Sequence, residues 1–193
     1  MWEVALKVPK LMPLESTISA KSDGMVELRL EGSNYLPHWI VGLFAALSRQ
    51  RVSIVSGQAT QGVPGEWKSC FVLDFSKSSA DPGQLNYVVF AEQTLNTSGE
   101  TAAPRLTRFE LLRRADQLLE LKLEGPDQVG FLASILSRVS LLALFPSRLE
   151  IDTRQGQIKD VIVLRGIGDK GPGEAAYKHL ERMLKSFLIK ELG

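Results

Sequence analysis

"LLELKLEGPDQVGFLASIL", residues 118–136, passes from one secondary-structure period to another across a short turn. Its first part alternates, so that Leu119, Leu121 and Leu123 share one face, as in a half-buried strand. Beyond the turn, Leu132, Ile135, Leu136 and Val139 follow the i, i+3, i+4, i+7 spacing of an amphipathic helix. The turn itself holds a proline, an aspartate and a glycine. The same succession occurs once before. "MVELRLEG" at 25–32 puts Val26, Leu28 and Leu30 on one face, and after a turn Ile40, Leu43, Phe44 and Leu47 take the helical spacing. From Glu31 to Glu124 is 93 positions and from Ile40 to Leu132 is 92, so the first turn is one residue longer. The chain is an imperfect internal repeat, which fixes how everything else is read.

Each copy continues as a hairpin, "VSIVSGQATQ" to "EWKSCFVLDF" and "SRLEIDTR" to "IKDVIVLRG", both across glycine-bearing turns. A second helix closes each copy, with Leu85, Val88, Val89 and Leu95 expected inward in the first. In the second, Ala176, Leu180, Met183, Leu184 and Phe187 take that place. The unit is βαββα. A further strand precedes each, "STISA" joined through Asp23-Gly24, a tight-turn pair, and "TRFELLRR"; the latter also fits the end of the first copy. Right-handed crossovers send both helices of a unit to one face of a four-stranded antiparallel sheet. The other face carries Glu27, Arg29, Glu120 and Lys122 and is expected to stay wet. Exposed edges invite pairing, and setting the copies edge to edge gives one eight-stranded sheet. The fold class expected is therefore α+β, two tandem ferredoxin-like domains. The divisions are an N-terminal arm at 1–15, a first domain at 16–96, a linker at 97–104 and a second domain at 105–193.

Composition narrows function. The 23 basic against 22 acidic residues leave a net charge of +1, with no field to gather nucleic acid or an anionic membrane. No apolar run is long enough for a membrane span or signal peptide, so a soluble, cytoplasmic protein is expected. One cysteine, Cys70, and two distant histidines leave no multi-cysteine metal site and no internal disulfide. Neither a metal nor a cofactor is expected. Paired catalytic carboxylates, a Gly-rich phosphate loop and a nucleophile beside a base are all missing, so no catalytic residue is assigned and the protein is not expected to be an enzyme.

"LEGPDQVGFLASILSRVS" followed by "RLEIDTRQGQIKDVIVLRG" resembles the ACT domain family, in which a strand, an Asp-x-Pro-Gly turn, a helix and a hairpin follow in this order. The likeness covers about 70 residues of the second copy and extends to the first through "LEGSNYLPHWIVGLFAAL". It implies a ferredoxin-like regulatory module that binds amino acids where two copies meet. Asp127 and Gly130 stand where such domains place the acidic residue and glycine that contact ligand, and Val129 takes the usual proline position. In the first copy Asn34 and His38 replace them, with Pro37 just ahead.

The residues supply a physical reason for a site at this turn. Gly130 lets backbone or ligand approach the start of the helix, and the unpaired first-turn N–H groups with the helix dipole favour an anion such as an amino-acid carboxylate. Asp127 either accepts from the ligand's ammonium or caps the helix. The candidate ligand set is Asp127, Gln128, Val129, Gly130 and Phe131, with Asn34, Leu36, Pro37 and His38 in the first copy. Trp39, off the main stripe, is expected to face the second domain or a partner. The function expected is a ligand-sensing regulatory protein without an attached catalytic or DNA-binding domain. It would bind an amino acid between the copies, favour their closed arrangement and signal through a protein partner or homodimer. The alternative is an interaction or oligomerisation module with no small ligand.

Overall fold

A computed structural model describes residues 13–33, 38–62, 65–93, 103–167 and 171–189. Among these, eight strands and four helices follow the expected succession. The first half contains β1 (Glu15–Ala20), β2 (Met25–Ser33), α1 (Trp39–Arg49), β3 (Ser53–Gln61), β4 (Glu66–Asp74) and α2 (Tyr87–Glu92). In the second come β5 (Arg108–Arg113), β6 (Leu119–Pro126), α3 (Phe131–Ser140), β7 (Phe145–Arg154), β8 (Gln157–Arg165) and α4 (Glu174–Lys185). The strands form one antiparallel sheet in the order β1-β2-β4-β3-β7-β8-β6-β5. This is an α+β architecture consistent with two ferredoxin-like units in tandem, each with its edge strand leading. β5 pairs with β6 from Arg108 opposite Glu124 to Arg113 opposite Leu119 and so lies at the outer edge of the sheet beside the second half's strands.

The join between the halves is the β3–β7 ladder, running from Ser56 opposite Asp152 to Thr60 opposite Arg148. At its centre Gln58 faces Glu150, the residue 92 positions on, which is Gln58's own counterpart in the repeat. The halves therefore meet about a pseudo-two-fold axis. Duplication also shows in the irregularities. β3 shifts register against β4 between Ile54 and Ser56, and β7 shifts against β8 between Pro146 and Arg148, at the same spacing.

The repeated "LEG" has a packing cause. A Cβ on Gly32 would lie 2.3 Å from the Pro13 carbonyl oxygen, and one on Gly125 would lie 2.5 Å from that of Arg105. In each copy the chain entering the edge strand crosses directly over this glycine, and any larger residue would push it off.

Alternation along the strands places Val26, Leu28, Leu30, Leu119, Leu121 and Leu123 under the helices, buried as expected. One apolar core runs beneath both halves. Burying a leucine contributes about 1.5–3 kcal/mol, so this shared layer, more than the five-pair ladder, holds the halves together. The opposite face is laced with ions: Lys21 and Arg29 lie 2.9 and 2.7 Å from Glu27, and Lys122 lies 3.6 Å from both Glu110 and Glu120. Each such exposed pair contributes about 0–1 kcal/mol; their effect is to keep this face hydrated.

Two expectations are corrected. Trp39 is fully buried and packs edge-on against Trp67, centroids 5.2 Å apart. Stripe logic assumes a helix with one wet face, but α1 packs against both α2 and α3 and is buried from Trp39 to Phe44 without interruption. Val89, expected inward, is exposed, because α2 is a six-residue helix that buries Tyr87 and Ala91 and is capped by the Asn86 side chain. Leu95 lies outside the described residues, as does the expected linker up to residue 102.

Candidate functional site

Gly130 ends the β6–α3 turn in the left-handed conformation (φ 82°) and is the residue preceding α3. Phe131 N–H turns back to the Gln128 carbonyl at 2.9 Å, and Ser134 N–H is the first to bond Gly130, also at 2.9 Å. Leu132 and Ala133, between them, keep N–H groups with no acceptor, and no side chain caps the helix. Capping by Asp127, one of the two roles left open above, is thus not what this residue does. Its own N–H bonds the Gly156 carbonyl at 2.8 Å, tying the turn to the β7–β8 hairpin. Gln128 accepts from Arg105 N–H at 3.2 Å, and Val129 projects into solvent.

A cavity opens beside this turn, with an internal volume of about 30 Å³, room for about two waters. Residues 127–133 form one wall and Ile151, Thr153, Ile158 and Asp160 another. Phe44, Ser48 and residues 52–54 of the first half close it. All five candidate residues of the second copy, Asp127 to Phe131, line this space. The first-copy set does not join them: His38, half-buried at the start of α1, is not part of the lining, and Asn34, Leu36 and Pro37 lie outside the described residues. The first half contributes instead the C-terminal part of α1 and the start of β3.

Asp160 is the residue that sequence reading passed over. On β8 it shares the inward register with Ile158, Ile162 and Leu164 and is only 1% exposed. Its Oδ1 accepts the Asp152 N–H at 3.2 Å, where the β7–β8 pairing lapses between Glu150 and Thr153. Its Oδ2 is buried with no hydrogen-bond partner. Burial, reinforced by the nearby Asp127 and Asp152 carboxylates, pushes its pKa up to about 7, against the opposing effect of the Asp152 N–H. A signal was present in "IKDVIVLRG": a lone acid on the apolar alternation. The first half has Ser69 at the matching place, buried and satisfied by donating to the Leu30 carbonyl at 3.0 Å.

The cavity is thus lined by Leu132 and Ala133, whose N–H groups are unspent, and by Asp160, one of whose carboxylate oxygens is buried and unspent. Fold and site together define a doubled α+β protein with a small, mostly apolar cleft holding a few polar groups at the junction of its halves. No family model and no curated protein matches the chain. Among solved structures, aspartate kinase from Synechocystis aligns with a TM-score of 0.45 at 13% identity, over 84% of this chain and 26% of that one. The chain thus spans about a quarter of that protein's length. No helix among the described residues is long and apolar enough to cross a membrane.

Proposed function

We propose that the protein is a non-enzymatic regulator of the ACT-like kind, which binds an amino acid in the cleft between its halves and passes the event on through altered association. The observation that carries this reading is the cleft's unpaired polar inventory. Donors at a helix N-terminus suit a carboxylate, and a buried carboxylate oxygen suits an ammonium, which together describe a zwitterion. The lining comes from both halves, so an occupant bears on how they meet. Since 30 Å³ is too little even for glycine, the ligand selects an arrangement in which this end of the seam has parted. That is opposite in sense to the closure expected from the sequence, and it follows from differential affinity for two states.

Thermal-shift measurements against the twenty amino acids test the reading. At 100 times the dissociation constant one site stabilises by about 2.7 kcal/mol. Silence from all of them would leave the second reading, an interaction module without a small ligand, which the cavity's small volume favours. In that case the outer edges β1 and β5, whose backbone groups face outward along the sheet, are the surfaces to examine.

A further inference from the structure

Asp160 Oδ2 is a buried anion site facing other anions. Around it stand Asp127 from the β6–α3 turn and Asp152 from β7. Arg154, exposed, is committed to Asp152 at 2.9 Å. α1, β3 and α3 offer the cavity only uncharged groups, among them Phe44, Ser48 and Phe131. An ionised carboxylate so placed lacks a counter-charge and is costly to bury. Two conditions relieve it: a proton on the carboxyl, or a cation arriving from outside into the same small space.

Resting on the reading above, we propose that Asp160 selects the ligand by its ammonium group, and that seating the ammonium displaces the carboxyl proton to solvent. Binding is then written as Asp160–COOH plus R–NH3+ giving the Asp160 carboxylate paired with R–NH3+, with one proton released and no other change. Affinity consequently rises with pH, and compounds keeping the ligand's carboxylate but lacking its positive charge are refused. The elevated pKa near 7 places the exchange at neutral pH. Because Ser69, in the matching position, is neutral and already hydrogen-bonded, the selector exists once, giving one ligand per chain.

The experiment compares the twenty amino acids with their N-acetyl derivatives at pH 5.5 and 8.0, on the wild-type protein, Asp160→Asn and Asp160→Ser, reading dissociation constants from the ligand dependence of melting. Amino acids that bind should do so about thirty-fold more tightly at pH 8.0, the ratio of ionised Asp160 for a pKa near 7. Their N-acetyl forms should be silent. Both variants, whose folding is read from the same melting curves, should lose the pH dependence and most of the affinity. If only one variant folds, it suffices. Should hits bind equally at the two pH values, tolerate acetylation or survive both substitutions, the role given to Asp160 is overturned while the site stands. Silence of the wild-type protein at both pH values overturns site and selector together.

Discussion

Replacing Asp160 with asparagine isolates the cost of burying its charge. The carboxyl titrates near 3.8 in an unfolded chain and near 7 in the folded protein. Between these values the folded state holds a proton that the unfolded state has lost, so unfolding is progressively favoured as pH rises through this window. Well below 3.8 both states are protonated and the penalty vanishes; well above 7 both are ionised and it is complete. Three pKa units at 1.36 kcal/mol each correspond to about 4 kcal/mol, or on the order of 10 °C in Tm for a chain of this size. Asparagine keeps an oxygen for the Asp152 N–H and never ionises. Any cost of its own unpaired amide is independent of pH and cancels when one variant is compared with itself across pH. Urea unfolding of both proteins at pH 4, 5.5 and 8, followed by circular dichroism, should show the difference in stability swinging toward the variant by about 4 kcal/mol between the extremes. Carboxylates remote from Asp160 titrate alike in both proteins and drop out of that difference. A difference that stays constant from pH 4 to 8 would refute the reasoning, because it would mean Asp160 is solvated or paired at all pH values.

Other expectations are more local. Gly125→Ala and Gly32→Ala should each destabilise by about 1–3 kcal/mol in denaturant unfolding, since their Cβ atoms would meet backbone at 2.5 and 2.3 Å. Gly42→Ala should do likewise by forcing α1 from α2, where the Phe90 carbonyl would be 2.8 Å away. Gln58→Lys should strengthen the seam against Glu150 and Gln58→Glu weaken it, by about 0.2–1 kcal/mol in each direction. Comparing melts at low and high salt checks this, because the gap should shrink as ions screen it. Gln155 adopts φ 52° ahead of Gly156 in the β7–β8 turn; Gln155→Asn, a residue better suited to that conformation, should raise Tm modestly.

How far these features are legible in the sequence depends on whether the cause is periodic or local. Periods of 2 and 3.6 located the strands and helices, because an inward apolar row can be satisfied in few ways, and the repeat suggested an edge-to-edge join without naming β3 and β7 as its strands. Trp39 was misplaced for the converse reason. It packs against Trp67 of β4 beneath a helix that is itself flanked by α2 and α3, and a helix wheel contains no neighbours. The turn at 127–131 was legible as a turn with a glycine at the helix start, because the left-handed backbone there favours glycine. The partner wall was not, since Phe44, Ser48 and Ile54 are set by how two halves dock. Asp160 could have been found: an acid in register with Ile158, Ile162 and Leu164 breaks the alternation, and such a break marks either an error in register or a group kept for its chemistry.

Each half of the sheet is contiguous in sequence, and the strand order crosses between them only at β3 and β7. Cutting the chain between α2 and β5 would sever no ladder bond. The seam is thus a dimer interface whose two members happen to share a tether, and the tether supplies a local concentration on the order of millimolar. Joined in this way, the apolar layer shared beneath the seam stays assembled whatever the protein concentration, as it would not between two free chains.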